Sequence, residues 1–286
     1  MPLTQSPSQG RLVDVADTKL FVVERSLDGP PLIVLHGGPG LDHWEFADYL
    51  DPLAPDLHLI LVDLRAQGMS EPAPRETWTL ARMAEDVVDL AAALELRDYT
   101  VLGHSFGGFL TLQLGADHPD AAAGLVHSNT MASFRWIEGV FDRIETVEPP
   151  ELREQIRWGW EHEGDADQAQ AAFEAQLPFH FGDVHDPRID DYKLRVAPTV
   201  YRPEVGAHFS ESNFENLALD RRLGEITTRS LVFGGRLDRT CPLGAAEEIA
   251  AGIPNAELVV FERSGHMPFV EEQEAYLDAV RRFVVG

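Results

Sequence analysis

Gly103-His104-Ser105-Phe106-Gly107 has the form G-x-S-x-G, with the apolar run Tyr99–Leu102 before it and a helical pattern from Phe106 to about Ala116 after it. A serine on a sharp strand-to-helix turn is exposed at a helix N-terminus, where negative charge is favoured. Its neighbours must be small so that the backbones can cross. The chemistry this suits is nucleophilic attack on a carbonyl carbon. A serine hydroxyl is a weak nucleophile until a base takes its proton. Of 11 histidines, His266 in Ser264-Gly265-His266-Met267-Pro268 is the best placed, in a loop just beyond an apolar strand. The base needs an acid to fix its tautomer and stabilise its positive form. Asp238 follows the apolar run Leu231–Phe233 through Gly234-Gly235-Arg236-Leu237 and falls at the same edge of a sheet. Its competing use is a helix N-cap before Pro242. The developing oxyanion needs N–H donors. Phe106, directly after the serine, offers one. Gly38 in His36-Gly37-Gly38-Pro39-Gly40 offers the other, because it has no side chain and Pro39 has no N–H.

Other histidines read differently. His104 flanks the serine, with its side chain pointing away. His36 braces the glycine-rich loop by hydrogen bonds. His180 and His185 lie near Asp183 and Asp186, but a spacing of five with Gly182 between them does not pair two ligands on one helix face. No metal site is expected there, and the chemistry needs no metal, nucleotide or organic cofactor.

These residues must be positioned by the elements around them. Leu12–Val15 and Leu20–Val23 flank Asp17-Thr18 as a hairpin. Leu32–Leu35 and Leu57–Val62 are fully apolar runs, the kind buried on both faces of a sheet. Trp44–Leu50 reads as a short helix. Thr79 is an N-cap for a helix in which Leu80, Met83, Ala84, Val87, Val88, Ala91 and Leu94 recur at helical spacing. Leu125-Val126 is a strand core. Strand–helix alternation predicts a parallel sheet covered on both faces. From Met131 to about Glu225 the rhythm stops. That segment is helical and aromatic, with three of the five tryptophans (Trp136, Trp158 and Trp160). It reads as an insertion over the sheet edge, or else as packing helices on its flank. Its aromatic residues Phe134, Trp136, Trp158, Trp160, Phe173 and Phe179 could line a pocket, but core packing is the expected use of most. The alternation resumes at Ser230–Phe233, then a helix through Ala245–Ala251, a strand Glu257–Phe261 and a helix Glu271–Phe283.

Composition narrows the function classes. The 286 residues are 44% hydrophobic and 25% charged, an ordinary globular balance. The formal charge is 23 − 48 = −25, which repels phosphate backbones and anionic lipids. Nucleic-acid and membrane partners are therefore not expected; a small molecule or short peptide is. Only Lys19 and Lys193 are lysines, which fits salt adaptation or an Arg-rich codon bias equally. Cys241 is the only cysteine, so no internal disulfide forms, and the first 15 residues lack the apolar core of a signal peptide. A reducing cytoplasm is the expected compartment. Nothing in the sequence indicates an oligomeric state.

The set His36-Gly37-Gly38-Pro39-Gly40, Gly103-His104-Ser105-Phe106-Gly107-Gly108, Gly235-Arg236-Leu237-Asp238 and Gly265-His266 resembles the α/β-hydrolase superfamily. H-G-G-P-G and Asp238-Arg239-Thr240-Cys241-Pro242 are similar to its proline iminopeptidase branch, which removes N-terminal residues from small peptides. The resemblance covers roughly residues 10–130 and 226–286. It implies an α/β-hydrolase core over 1–130 and 226–286, a helical cap over 131–225, and the triad Ser105, His266 and Asp238. Family members hold the substrate's ammonium with glutamates, and the candidates here are Glu204 and Glu215. Two departures stand out. Arg239 stands where some family aminopeptidases place an amine-binding glutamate, and a cation facing the pocket would repel an ammonium. Ala66 in Asp63-Leu64-Arg65-Ala66-Gln67-Gly68 replaces the glycine of D-x-R-G-x-G.

Three functions remain open on the sequence. The first is a proline iminopeptidase-like aminopeptidase on short peptides or amino-acid amides. The second is a carboxylesterase or lactonase on small acyl substrates, with the same triad and no ammonium clamp. The third is a non-catalytic binding module that keeps the fold.

Overall fold

The computed structural model describes residues 10–211 and 217–286. Eight strands make one sheet: β1 (Arg11–Val15), β2 (Thr18–Glu24), β3 (Pro31–Leu35), β4 (His58–Val62), β5 (Thr100–His104), β6 (Gly124–Ser128), β7 (Ser230–Gly235) and β8 (Ala256–Phe261). Their order is β1-β2-β4-β3-β5-β6-β7-β8. The pairs β1–β2 and β2–β4 are antiparallel, and all other neighbours are parallel. The helices are α1 (Leu80–Ala93), α2 (Phe106–Asp117), α3 (Arg135–Glu138), α4 (Val140–Ile144), α5 (Pro150–His162), α6 (Ala169–His180), α7 (Arg188–Val196), α8 (Pro203–Glu211), α9 (Leu243–Gly252), α10 (Pro268–Glu271) and α11 (Gln273–Val285).

The apolar runs become strands because both sheet faces are covered. Every residue of β4, β5, β6 and β7 is buried. Side chains alternate between faces along a strand, so each run feeds two cores. Ile33, Leu35, Ile60 and Val62 pack with Val87 of α1, Leu110 of α2 and Ile249 of α9. Leu32, Val34, Leu59 and Leu61 pack with Tyr276 and Val280 of α11. Thr79 caps α1 as its sequence predicts, its side chain accepting the Arg82 N–H at 3.2 Å.

Two elements differ from expectation. Trp44–Leu50 is not an α-helix: a 3₁₀ turn over His43–Phe46, capped by Asp42, ends at Ala47, which has φ 43°. The last helix is broken at Glu272 into α10 and α11, and the Glu272 carboxylate instead accepts the Arg263 N–H and the Ser264 hydroxyl. Between β6 and β7 the described residues hold six helices, a 3₁₀ turn over Leu219–Glu225 and one isolated β-bridge, Ser133–Ala218. This segment has a small core of its own, built on Val140, Ile144, Val147, Ile156 and Phe179. Among the described residues no helix is long and apolar enough to cross a membrane.

Parallel pairing decides where the chemistry sits. β3, β5, β6, β7 and β8 all run the same way, so the residues after their last positions meet at one edge. Those residues include Gly38, Ser105, Asn129, Asp238 and His266.

Candidate active site

Ser105 follows β5 directly and holds φ 51°, ψ −113°, a conformation that costs a non-glycine residue free energy. Its surroundings enforce it. The Ser105 N–H donates to Ser128 O at 2.9 Å, and its carbonyl accepts the Thr130 hydroxyl at 2.8 Å, so the end of β6 clamps the turn. The turn is tight enough that a Cβ on Gly103 would sit 2.0 Å from Gly107 O, which is why glycine stands there.

His266 Nδ1 donates to Asp238 Oδ2 at 2.9 Å. A carboxylate at Nδ1 fixes the proton there and leaves Nε2 as the lone pair. The same Asp238 oxygen accepts the Asn129 side-chain amide at 3.0 Å, and the other oxygen accepts the backbone N–H groups of Thr240 and Cys241, each at 2.8 Å. Burial disfavours the positive form of His266, but the nearby Asp238, Glu45 and Glu271 carboxylates outweigh it, so its pKa lies above the ordinary histidine value. His104 is fully buried, with its ring 4.8 Å from that of His266; burial first, then His266 and His180, hold its pKa well below the usual value. Ser105 and His266 line one cavity, with no direct hydrogen bond between them. Such contacts are often long before substrate binds.

The Gly38 N–H, a candidate oxyanion donor, has a support chain. Leu64 N–H donates to His36 Nε2 at 3.2 Å, which leaves the imidazole proton on Nδ1 to donate to Gly37 O at 2.8 Å. That carbonyl belongs to the same amide as the Gly38 N–H. Hydrogen bonding at its oxygen polarises the amide and strengthens the N–H as a donor. Burial keeps His36 neutral, with a pKa of about 4. Among the described residues, neither the Gly38 nor the Phe106 N–H has a protein acceptor.

The cavity measures about 340 Å³. One wall is the loop Gly38–Leu41, and much of the rest comes from the segment between β6 and β7. Of the six aromatic residues considered from sequence, Phe134, Trp160 and Phe173 line it. Trp136 instead bonds Glu248, Trp158 stacks on His162, and Phe179 belongs to the segment's own core. Among the described residues no lysine or arginine lines the cavity, whereas Glu45 and Glu163 both do. Burial raises the pKa of each to about 7. For Glu163 the opposing contribution comes from a hydrogen bond with Gln176.

Of the two glutamates expected from sequence, only Glu204 is among the described residues. Glu204 is exposed on the first turn of α8 and does not line the cavity, although its neighbour Pro203 does. Glu215 lies outside the described residues. Arg239 does not face the cavity: its guanidinium donates to Phe181 O at 2.7 Å and Gly182 O at 3.1 Å. Ala66 occupies φ 59°, a left-handed position where glycine is the easier residue.

Asp42, His43 and Asp63 are buried with ligand-type atoms within 4.8 Å of one another. Their carboxylate oxygens are already engaged. Asp63 accepts from His43 N, His43 Nδ1 and Met69 N, and Asp42 accepts from Trp44 N and Val200 N. The arrangement fits a structural latch.

Sequence reasoning missed Asn129, Glu45, Glu163 and Glu271. Asn129 carried a signal, being a polar residue at the end of a buried parallel strand and tolerant of its φ of 46°. Glu45 lies between Asp42 and Asp48 with nothing local to single it out, and Glu163 has no local signal either.

A sequence profile of the alpha/beta hydrolase fold matches residues 30–273. The chain is 30% identical over 267 residues to a proline iminopeptidase of Heyndrickxia coagulans, covering 90% of this chain and 91% of that protein. An alpha/beta fold family hydrolase from Bacillus anthracis superposes with a TM-score of 0.80 at 21% identity, covering 96% of this chain and 98% of the other. An esterase from Exiguobacterium antarcticum superposes with a TM-score of 0.73 at 21% identity, covering 97% and 100%.

Proposed function

The chain belongs to the alpha/beta hydrolase fold family, and on that premise we propose that it is a serine hydrolase acting on small acyl substrates that carry a free amine. This is an aminopeptidase activity of the proline iminopeptidase kind. The observation that carries the reading is the cavity's charge: among the described residues, Ser105 and His266 share it with the carboxyl groups of Glu45 and Glu163 and with no lysine or arginine. A carboxyl held near neutrality by burial becomes a good partner for an ammonium, because the cation restores the charged form that burial disfavours. In this reading Glu163 takes the ammonium, and Glu45 adds to the negative field.

The steps follow from the geometry. Ser105 Oγ attacks the scissile carbonyl as His266 Nε2 takes its proton. Asp238 orients the imidazole and stabilises the imidazolium. Gly38 and Phe106 N–H groups hold the oxyanion. His266 then protonates the leaving amine, and a water molecule, activated by His266, hydrolyses the acyl-enzyme. In this reading the described residues of 131–225 form the cap, whose side chains wall much of the cavity. The lone buried Cys241 suits a reducing cytoplasm.

An esterase is the second reading, favoured by the cavity's apolar walls, Met131, Phe134, Phe141 and Phe173 among them. Purified protein is assayed with proline p-nitroanilide and a short-chain p-nitrophenyl ester, with Ser105→Ala as control for both. Anilide turnover abolished by Ser105→Ala supports the aminopeptidase. Ester turnover with a silent anilide sinks it and leaves the esterase.

A further inference from the structure

The loop that carries His266 is hung from carboxylates and from the helical segment above it. Arg263 N and Ser264 Oγ donate to Glu272 Oε2 at 2.9 and 2.8 Å. Gly265 N and Met267 N, on either side of the histidine, donate to Glu271 Oε2 at 2.8 and 3.3 Å. The N–H of His266 itself donates to His180 O at 2.6 Å. The other Glu271 oxygen reaches across to the same segment and accepts the Gly182 N–H at 2.7 Å. Two residues of this short stretch, Phe181 and Gly182, also receive the Arg239 guanidinium from the loop that carries Asp238. Packing is close: a Cβ on Gly265 would meet His180 O at 2.5 Å and Gly182 N at 2.6 Å. Thus three consecutive residues, His180–Gly182, form a joint between the base loop and the acid loop. Among the described residues, Glu271 is the one side chain whose carboxylate bonds both the joint and the histidine's loop.

We propose that Glu271 is a positioning residue that couples His266 to the docked segment His180–Gly182, so that the base is in register with Ser105 only while that segment is seated. The proposal rests on the assignment of His266 as the general base. Glu271 is 9% exposed and its carboxyl is pushed up to about 7 by burial, against the three N–H donors and Arg188 that favour its ionised form. A methylene-rich side chain would be cheaper to bury, so the carboxylate is retained at a cost. The charge also acts on the base. The titratable groups acting on His266 are Asp238, Glu45, Glu271, His104 and His180. Arg188 and Arg239 are the cations nearest Glu271 in effect.

The test is Glu271→Gln, with active sites counted by a fluorophosphonate so that kcat refers to competent enzyme. One accepting oxygen is kept and the charge is lost. Coupling predicts kcat down about tenfold or more, KM within twofold, and an acid limb of kcat/KM at lower pH than in wild type. Arg239→Met loosens the same joint without touching Glu271, and covers the case in which Glu271→Gln does not fold. It is expected to lower kcat severalfold. The proposal is overturned if the variants that fold keep kcat per titrated site within twofold and the acid limb stays in place, even with a lower Tm. Turnover or labelling retained by Ser105→Ala overturns the nucleophile assignment instead, a separate outcome.

Discussion

Asn129 donates its side-chain amide to the same Asp238 oxygen that receives the His266 Nδ1–H, at 3.0 and 2.9 Å. It also donates to Gly265 O at 3.1 Å, so one amide registers Asp238 against the loop that carries His266. A hydrogen bond to a charged group contributes about 1.5–3 kcal/mol, enough for a tenfold change in rate. Asn129→Ala is expected to lower kcat about tenfold with KM nearly unchanged. An unchanged kcat would mean that the Thr240 and Cys241 N–H groups alone hold Asp238 in place.

With His266 as the proposed base, its raised pKa sets the low-pH limit of the proposed activity. The base must be neutral, so kcat/KM falls as pH drops through its pKa, and the midpoint is expected above 6.5, the ordinary histidine value. Stability runs the other way. A histidine whose folded pKa is raised stabilises the fold below its unfolded pKa, and that contribution is lost as pH rises through the folded value. Glu45→Gln, which removes one of the charges favouring imidazolium, should move the limb to lower pH. A limb at or below 6.5 in the wild type contradicts this electrostatic account.

Glu45 gives a stability prediction of definite sign. Its carboxyl is 5% exposed and titrates at about 7 in the fold against 4.5 as an ordinary glutamate. A raised carboxyl stabilises the fold below its unfolded pKa, and the contribution disappears as pH rises through about 7. Above that point wild type carries a buried charge that glutamine does not. Glu45→Gln, which can still accept the Gly37 N–H, should be more stable than wild type at pH ~8.5 by about 2–3 kcal/mol, with no gain at pH ~4. Denaturant titrations at the two pH values measure it; a gain that does not depend on pH contradicts it.

Arg65 anchors the loop after β4. It is 1% exposed, and its Nε and one Nη each lie 2.7 Å from Asp86, with Asp17 at 2.6 Å. Arg82 also reaches Asp86. Removing one partner of a buried pair costs about 3–5 kcal/mol, and the second arginine places this case at the low end. Arg65→Met is expected to lose about 3 kcal/mol in denaturant titration, and Arg65→Met with Asp86→Leu should recover part of it.

Much of the sheet, and the gathering of Ser105, Asp238 and His266 at one of its edges, was legible because each rests on local rules. Apolar runs of strand length and Gly103 and Gly107 at the crossing are consecutive-residue signals, and Ser105, Asp238 and His266 each follow such a run. The cavity's acids were not. Glu163 reaches the site because α5 folds over a sheet edge far away in sequence, and no local pattern separates it from the exposed Glu204. Arg239 looked hostile to a cationic substrate because its partners, the Phe181 and Gly182 carbonyls, lie more than 50 residues away along the chain. The break at Glu272 was hidden for the same reason: the side chain that interrupts the helix bonds back to Arg263 and Ser264.

The central claim is that the cavity reads a free amine beside a carbonyl attacked by Ser105. The most direct measurement compares kcat/KM for proline p-nitroanilide with that for its N-acetyl derivative, in wild type and in Glu163→Gln. Acetylation is expected to lower kcat/KM about ten- to a hundredfold in wild type, since a hydrogen bond to a charged group is worth about 1.5–3 kcal/mol, with a much smaller ratio in Glu163→Gln. Equal turnover of the two substrates in wild type would contradict it.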